Sequence, residues 1–177
     1  MRTWLVLIVI LAASPGARAD APGVECDPSG PFFGAGVSLG LALPGAEAAL
    51  GWQALPYLGG FARAAWTLDL DRHRAWADLQ LGARVSPLPS AAPWWSLEAH
   101  AGRTWVDVPV DCPNSQTCYG GKGRGYAYGV AVRAAVARGR HGSFDVWLGY
   151  DVTRWRLANG SRGGEQSPRF GLGFSIY

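Results

Sequence analysis

The sequence is poor in lysine, methionine, cysteine and long apolar runs. It has one lysine, Lys122, one methionine and three cysteines, and beyond its first twenty residues no apolar run reaches 18 residues. A membrane-spanning helix needs about 20 consecutive apolar residues, so the rest of the chain has no candidate for one. The three histidines lie on separate segments without ligand spacing, and no phosphate-binding loop is present. No metal or cofactor is therefore predicted.

The first residues have the composition of an export signal. Met1–Ala19 combines an early arginine, an apolar core and a small-residue cleavage site, which together predict a secretory signal peptide. Residues 20–30 are then a periplasmic lead-in, and residues 31–177 form one barrel domain. Removing the two arginines of the signal leaves 14 basic residues against 13 acidic residues. This balance gives no reason to expect a nucleic-acid partner.

The three cysteines suggest one disulfide in an exported chain. Cys112 and Cys118 bracket the short polar segment CPNSQTC, and we expect them to be bridged. Closing so small a ring contributes about 2 kcal/mol on the loop-entropy model. Cys26 is left without a partner, and the residues before it do not resemble a lipoprotein signal.

Alternation of apolar and polar residues is the main pattern from Phe32 onward, and it predicts eight strands. The clearest strand runs from Trp94 to Val108, with Trp95 and Trp105 ten residues apart on the apolar face. On a strand that rises ~3.3 Å per residue and tilts by roughly 40°, these tryptophans lie ~25 Å apart along a barrel axis. That distance is about the height of the apolar band of a membrane barrel.

The glycines indicate which face points outward. Alternation alone fits a membrane barrel with its apolar face outward or a soluble periplasmic, lipocalin-like ligand-binding barrel with that face inside. The polar face holds most strand glycines, whereas the apolar face has essentially Gly60 alone. A crowded eight-stranded interior needs small residues. We therefore predict an all-β, eight-stranded antiparallel up-and-down transmembrane barrel with an apolar outer face and a polar, glycine-rich interior.

The polar inner face is predicted to hold a connected network of charges, because ions removed from water must pair. An eight-stranded barrel has room only for side chains, so we do not expect a water-filled pore. The outer face is predicted to carry aromatic residues at the two membrane interfaces. The network residues are Glu47, Arg63, Asp78, Gln80, Arg84, Glu98, His100, Arg133, Asp145, Asp151 and Arg169. The interface aromatics are Trp52, Trp66, Trp95, Trp105, Tyr126, Phe144 and Phe170.

With its signal peptide, eight alternating segments and final strand RFGLGFSIY, the chain resembles the small bacterial outer-membrane β-barrels of the OmpA membrane domain, OmpX and OmpW types. The resemblance implies the outer membrane of a Gram-negative-type bacterium, with membrane lipid and lipopolysaccharide around a monomeric barrel. It also implies that the final strand is read by the barrel-assembly machinery.

Three functions compete at this point. The favoured one is a filled barrel with a structural or surface-interaction role, whose long gaps 109–124 and 157–167 form extracellular loops. The lipocalin-like ligand binder is the second. The third is a lipid A-modifying acyl hydrolase or transferase, because His141 and Ser143 are similar to the His-x-Ser pairing of an outer-membrane deacylase. Catalysis would need the histidine within hydrogen-bonding reach of the serine.

Overall fold

The computed structural model describes residues 30–40, 44–55, 57–70, 73–86, 95–114, 117–139 and 141–177. The predicted signal peptide, Met1–Ala19, and the lead-in up to residue 29 lie outside these residues. Among the described segments there is no helix long and apolar enough to cross a membrane. The described residues form the strands β1 (Gly30–Gly40), β2 (Pro44–Leu55), β3 (Leu58–Asp69), β4 (Arg74–Val85), β5 (Trp95–Asn114), β6 (Thr117–Gly139), β7 (Gly142–Leu157) and β8 (Arg162–Ile176).

The eight strands form a closed antiparallel barrel in sequence order. Each strand pairs with the next, and β1 pairs with β8, which confirms the predicted fold class. Following the paired residues around the barrel from Phe174 on β8 leads back to Gly164 on the same strand, ten residues away. This stagger tilts the strands by about 40° to the barrel axis.

The apolar face of each strand points away from the barrel axis. Leu79, Leu97 and Val130 are 55%, 46% and 58% exposed, whereas Asp78 and Glu98 are buried. A soluble ligand-binding barrel would bury the first group and expose the second. The lipocalin-like alternative is therefore wrong, because the interior is lined by polar side chains and glycines.

The structure differs from the sequence prediction in the length of two hairpins. β5 continues to Asn114 and β6 begins at Thr117. The prediction of a loop over residues 109–124 is therefore wrong, because most of this segment forms an extended hairpin. The predicted gap 157–167 is also wrong, because β8 already begins at Arg162. Strands that rise above an apolar environment meet water on both faces. They therefore need no alternation, and the sequence pattern on which the prediction relied is missing there.

The cysteine pair lies in the extended hairpin. The backbone places Asp111 opposite Tyr119 and Asn114 opposite Thr117, with a register shift between these two pairs. Cys112 directly follows Asp111, and Cys118 directly precedes Tyr119, so the two cysteines are next to a directly opposed pair. Their side chains lie outside the described ones, so the disulfide stays a prediction.

The barrel contains a matched pair of glycines that tests the assignment of faces. A Cβ on inward-facing Gly171 would overlap the indole of Trp147, whereas a Cβ on outward-facing Gly60 would meet only the Gly82 carbonyl oxygen, at 3.8 Å. We expect Gly171→Ala to destabilise the barrel by about 1–3 kcal/mol through overpacking. Gly60→Ala should change stability by less than about 0.5 kcal/mol.

Urea unfolding of the refolded barrel, followed by tryptophan fluorescence, measures both effects. Equal unfolding midpoints for the two variants would contradict the assignment of Gly171 to the interior.

Candidate functional site

The inward-facing side chains of all eight strands meet in the lumen, and this is where the structure places all eleven predicted network residues. Nine of them are buried as whole residues. The other two, Glu47 and Arg133, keep only 7% and 13% of their side-chain surface accessible. The barrel positions them because successive residues of a strand alternate between its two faces.

Glu98 on β5 is the first centre of this network. Its Oε1 atom accepts hydrogen bonds from Arg84 Nε at 2.8 Å and from Arg133 Nε at 3.0 Å. Arg84 Nη2 lies 2.7 Å from the same oxygen. The two arginines come from β4 and β6, the strands on either side of Glu98. Two guanidinium groups therefore converge on one carboxylate across three adjacent strands.

Arg133 and Arg63 connect this centre to the opposite wall. Arg133 Nη2 lies 3.1 Å from Glu47 Oε1, and Arg63 Nη2 lies 2.8 Å from Glu47 Oε2. Glu47 on β2 thus bridges arginines from β3 and β6. Because β2 and β6 are not neighbours, the contact between Glu47 and Arg133 crosses the lumen.

His100 is the second centre of the network. Its Nε2 atom lies 2.9 Å from Arg63 Nη1 and 2.9 Å from Asp151 Oδ1. A neutral imidazole nitrogen serves one of these partners at a time, as acceptor for the arginine or as donor to the carboxylate. Arg169 Nε lies 3.4 Å from Asp151 Oδ2, an ion pair whose atoms are not aligned for a hydrogen bond. Gln80 accepts a longer bond from Arg63 Nη1, at 3.4 Å.

Asp78 is the predicted network residue that the structure does not pair with an arginine. It is buried, but among the described residues no basic group lies within 4 Å of it, and its Oδ1 atom has no hydrogen-bond partner. The alternation correctly places Asp78 inward. Its distance from the arginines depends on its height in the barrel, which alternation does not specify.

The end of the lumen near Tyr177 is lined by hydroxyl groups. Asp145 accepts hydrogen bonds from Ser143 Oγ at 2.7 Å and from Ser175 Oγ at 2.6 Å, and Ser143 Oγ lies 2.9 Å from the Tyr177 hydroxyl. His141 lies in the exposed turn before β7, and its described contact is a backbone hydrogen bond from Tyr177. The hydroxyl of Ser143 is thus bound to a carboxylate and a phenol, and not to the histidine that catalysis would need.

The opposite end of the lumen is closed by an apolar cluster that the sequence analysis did not identify. Trp76, Val106 and Trp155 are buried together, and the two indole rings stack with centroids 6.1 Å apart. Arg74 covers Trp155 at 5.6 Å and pairs with Asp69 and Glu165 above it. The signal was the presence of Trp76 on the polar face of β4, an unusual position for a tryptophan.

Aromatic rings also separate the charged groups within the lumen. The ring of Trp147 lies 5.8 Å from the Arg63 guanidinium carbon and 6.0 Å from that of Arg133. Arg84 lies 4.5 Å from the ring of Phe32. Such contacts stabilise desolvated cations in addition to their ion pairs. The interior of the described barrel thus combines charged groups with aromatic rings.

The predicted interface aromatics lie on the outer wall in two groups. Trp52, Trp95 and Phe144 lie at the Tyr177 end of the wall, whereas Trp66, Trp105 and Tyr126 lie toward the opposite end. Phe170 is opposite Leu39 and Leu148 and lies near the middle of the wall, so the structure does not place it with either group. All of them face outward, and five of the seven are exposed large side chains. Tyr126 stacks on Tyr128 with ring centroids 6.2 Å apart. An apolar band thus lies between two aromatic groups.

Solved structures similar to this chain include bacterial surface and outer-membrane β-barrels. Neisserial surface protein A superposes with a TM-score of 0.62 at 10% identity, over 82% of this chain and 94% of that chain. The N-terminal β-barrel domain of Pseudomonas aeruginosa OprF gives 0.50 at 13% identity, over 83% and 97%. Ail of Yersinia pestis, in complex with the heparin analogue sucrose octasulfate, gives 0.50 at 12% identity, over 84% and 96%.

The chain has the fold of the small outer-membrane β-barrels. This confirms the resemblance inferred from the sequence, at the level of fold. No protein-family profile matches the chain, and no curated protein matches its sequence.

The convergence of two arginines on Glu98 is directly testable. Among the described residues Glu98 is the sole carboxylate within 4 Å of Arg84, so Glu98→Gln leaves that buried cation without a counter-charge. We expect a loss of about 3–5 kcal/mol in unfolding free energy. The matched control is Asp107→Asn on the exposed outer face, which should cost less than about 1 kcal/mol.

Equilibrium unfolding in urea gives both values. A cost for Glu98→Gln as small as that of the control would show that Arg84 does not depend on this carboxylate.

Proposed function

We propose that the chain is a monomeric outer-membrane protein of a Gram-negative-type bacterium. The observation that carries the proposal is the outward band of exposed apolar side chains, in which Leu81 is 72% exposed, bordered by two groups of aromatics. In water a continuous apolar belt of this kind promotes aggregation, whereas hydrocarbon accommodates it without cost. Closure of the sheet pairs the strand edges that a bilayer would otherwise leave unsatisfied.

We further propose that the barrel is a non-conducting, non-catalytic scaffold. The ion pairs that cross the lumen and the tryptophan cluster at one end support a structural lumen. The separation of His141 from the hydroxyl of Ser143 argues against the acyl-transfer alternative. The final strand, with Phe170, Phe174 and Ile176 on its outer face, is proposed as the segment read by the barrel-assembly machinery.

The β5–β6 hairpin is proposed as the surface-interaction element. The last strand pairs that join this hairpin to its neighbours are Asp107 with Ala75 and Gly123 with Leu157, and the Ala158 N–H also donates to the Lys122 carbonyl at 3.1 Å. Beyond them, Val108 to Gly121 pair only within the hairpin, which at ~3.3 Å per residue rises about 20 Å above the barrel. Both of its edges present unpaired backbone groups, which a partner can bind.

Membrane fractionation and gel migration test the location. We expect the protein in the outer-membrane fraction, and we expect the folded form to migrate differently before and after boiling in SDS. Recovery in the soluble periplasmic fraction would contradict the proposal.

Two leucine-to-arginine substitutions at different depths test whether the outer wall faces a bilayer. Leu81 lies in the middle of the apolar band, whereas Leu58 begins β3 at the edge of the band near the termini. We expect Leu81→Arg to cost about 2–4 kcal/mol and Leu58→Arg about 0–1 kcal/mol, because the cost of a lipid-facing arginine falls toward the interface. Urea unfolding from phospholipid vesicles measures both, and equal costs would argue against a transmembrane arrangement.

Replacing the hairpin tests the surface role. A variant in which Asn-Gly joins Val108 to Gly121 should retain heat-modifiable migration and lose binding of the producing cells to host or neighbouring cells. The control replaces the short turn 158–161 between β7 and β8, which should leave binding unchanged. Unaltered binding without the hairpin would reject this element as the contact surface.

A further inference from the structure

The outer wall carries an uneven distribution of charge. Among the described residues that face outward on the strands, the basic ones all lie on β5 to β8, and Asp107 is the single acid. The basic residues are Arg103, Lys122, Arg124, Arg154, Arg156 and Arg162. We call them the basic wall. All of them lie toward the hairpin end of the barrel, and they take no part in the lumen network.

The strand register brings three of these arginines side by side. Arg124 on β6 is directly opposite Arg156 on β7, and Arg156 is directly opposite Arg162 on β8. Like charges on directly opposed residues repel each other and destabilise a sheet. In the part of the chain that the structure describes, no carboxylate lies within 4 Å of these three side chains. The one outward acid among the described residues, Asp107, is directly opposite Lys122 and not opposite any of the three arginines, so these three have no described counter-charge.

The height of the basic wall indicates where that counter-charge is. Trp105, one of the interface aromatics, is directly opposite Arg124. Trp105 and the three arginines thus form one row of directly opposed residues that runs across β5, β6, β7 and β8. Because the strands tilt by about 40°, this row climbs by roughly 3 Å per strand from β5 to β8. Aromatic belts mark the level of lipid headgroups. The three arginines therefore begin at the headgroup level and extend just above it.

Two further arginines lie one row lower. Arg103 and Arg154 are both directly opposite Tyr126, within the aromatic group. The Arg154 side chain lies along the wall over Gly164, where a Cβ would overlap its guanidinium group. Long basic side chains at this depth extend toward the polar headgroups. Two rows of guanidinium groups thus face one patch of lipid.

We propose that the basic wall binds the phosphate groups of a phosphorylated outer-leaflet glycolipid, of the lipid A class that anchors lipopolysaccharide. Arginine binds phosphate through two parallel charge-assisted hydrogen bonds, and adjacent arginines can share one headgroup. The site is on the lipid-facing wall and not in a pocket open to water, so its occupant is a lipid of the same membrane. This inference rests on the proposed outer-membrane location.

The test uses the full mature chain refolded into phosphatidylcholine vesicles that contain lipid A with both phosphates, or the same lipid after enzymatic dephosphorylation. Lipid retained on the purified barrel is counted by native mass spectrometry. We expect the phosphorylated lipid to be retained at least about tenfold more than the dephosphorylated lipid, a difference typical of charge-assisted contacts.

Two triple variants separate charge from geometry. R124Q/R156Q/R162Q should lose the preference for the phosphorylated lipid by about tenfold. R124K/R156K/R162K keeps the positive charges but lacks the planar guanidinium groups that bind phosphate through two hydrogen bonds. This variant should retain an intermediate preference for the phosphorylated lipid. Both variants change exposed outer residues, so heat-modifiable migration should stay as in the wild type and show that the barrel still folds.

The outcomes distinguish the site from the location. An inserted wild-type barrel that retains both lipids equally would overturn the inference alone, as would a glutamine variant with an unchanged preference. Complete displacement of the lipid by millimolar inorganic phosphate would overturn the assignment to a lipid headgroup. Failure of the wild type to insert into any vesicle would overturn the location and the inference together.

Discussion

The narrow interior of an eight-stranded barrel is the constraint on which the rest of the structure depends. Inward charges are held mainly by other groups of the lumen, because an eight-stranded barrel has room for little more than side chains. Glu98 and Glu47 meet this demand by each binding two arginines. The Trp147 ring lies 5.8 Å from the guanidinium carbon of Arg63 and 6.0 Å from that of Arg133. The glycines of the inward face make this packing possible.

The two ends of the barrel differ in chemistry. Near the termini, hydroxyl groups of Ser143 and Ser175 surround Asp145. At the other end, Trp76 and Trp155 close the lumen, and a hairpin rises above it. The charged lumen, the apolar belt and the projecting hairpin support the proposed role of a scaffold that acts through its outer surfaces. In this view the basic wall and the hairpin are two such surfaces, one facing lipid and one facing the medium.

Much of this architecture could be predicted from the sequence, because a two-residue period directly reports which side chains share a face. The eight strands, the interface tryptophans and the inward position of Arg63 all follow from that period. The hairpin length could not be predicted, because residues 109–124 carry no regular two-residue period in the sequence. The tryptophan cluster was also missed, because Trp76 has an apolar side chain on a face that is otherwise polar.

The sequence by itself determined the fold class and the face of each strand residue, since alternation and the placement of glycine are local properties. Only the tertiary structure decided which inward residues meet. His100 reaches Arg63 and Asp151, which lie 37 and 51 positions away, whereas Asp78 has no arginine within 4 Å among the described residues. The physical reason is the stagger of the closed sheet. It sets the height of every residue along the axis, and that height depends on the register of all eight strands at once.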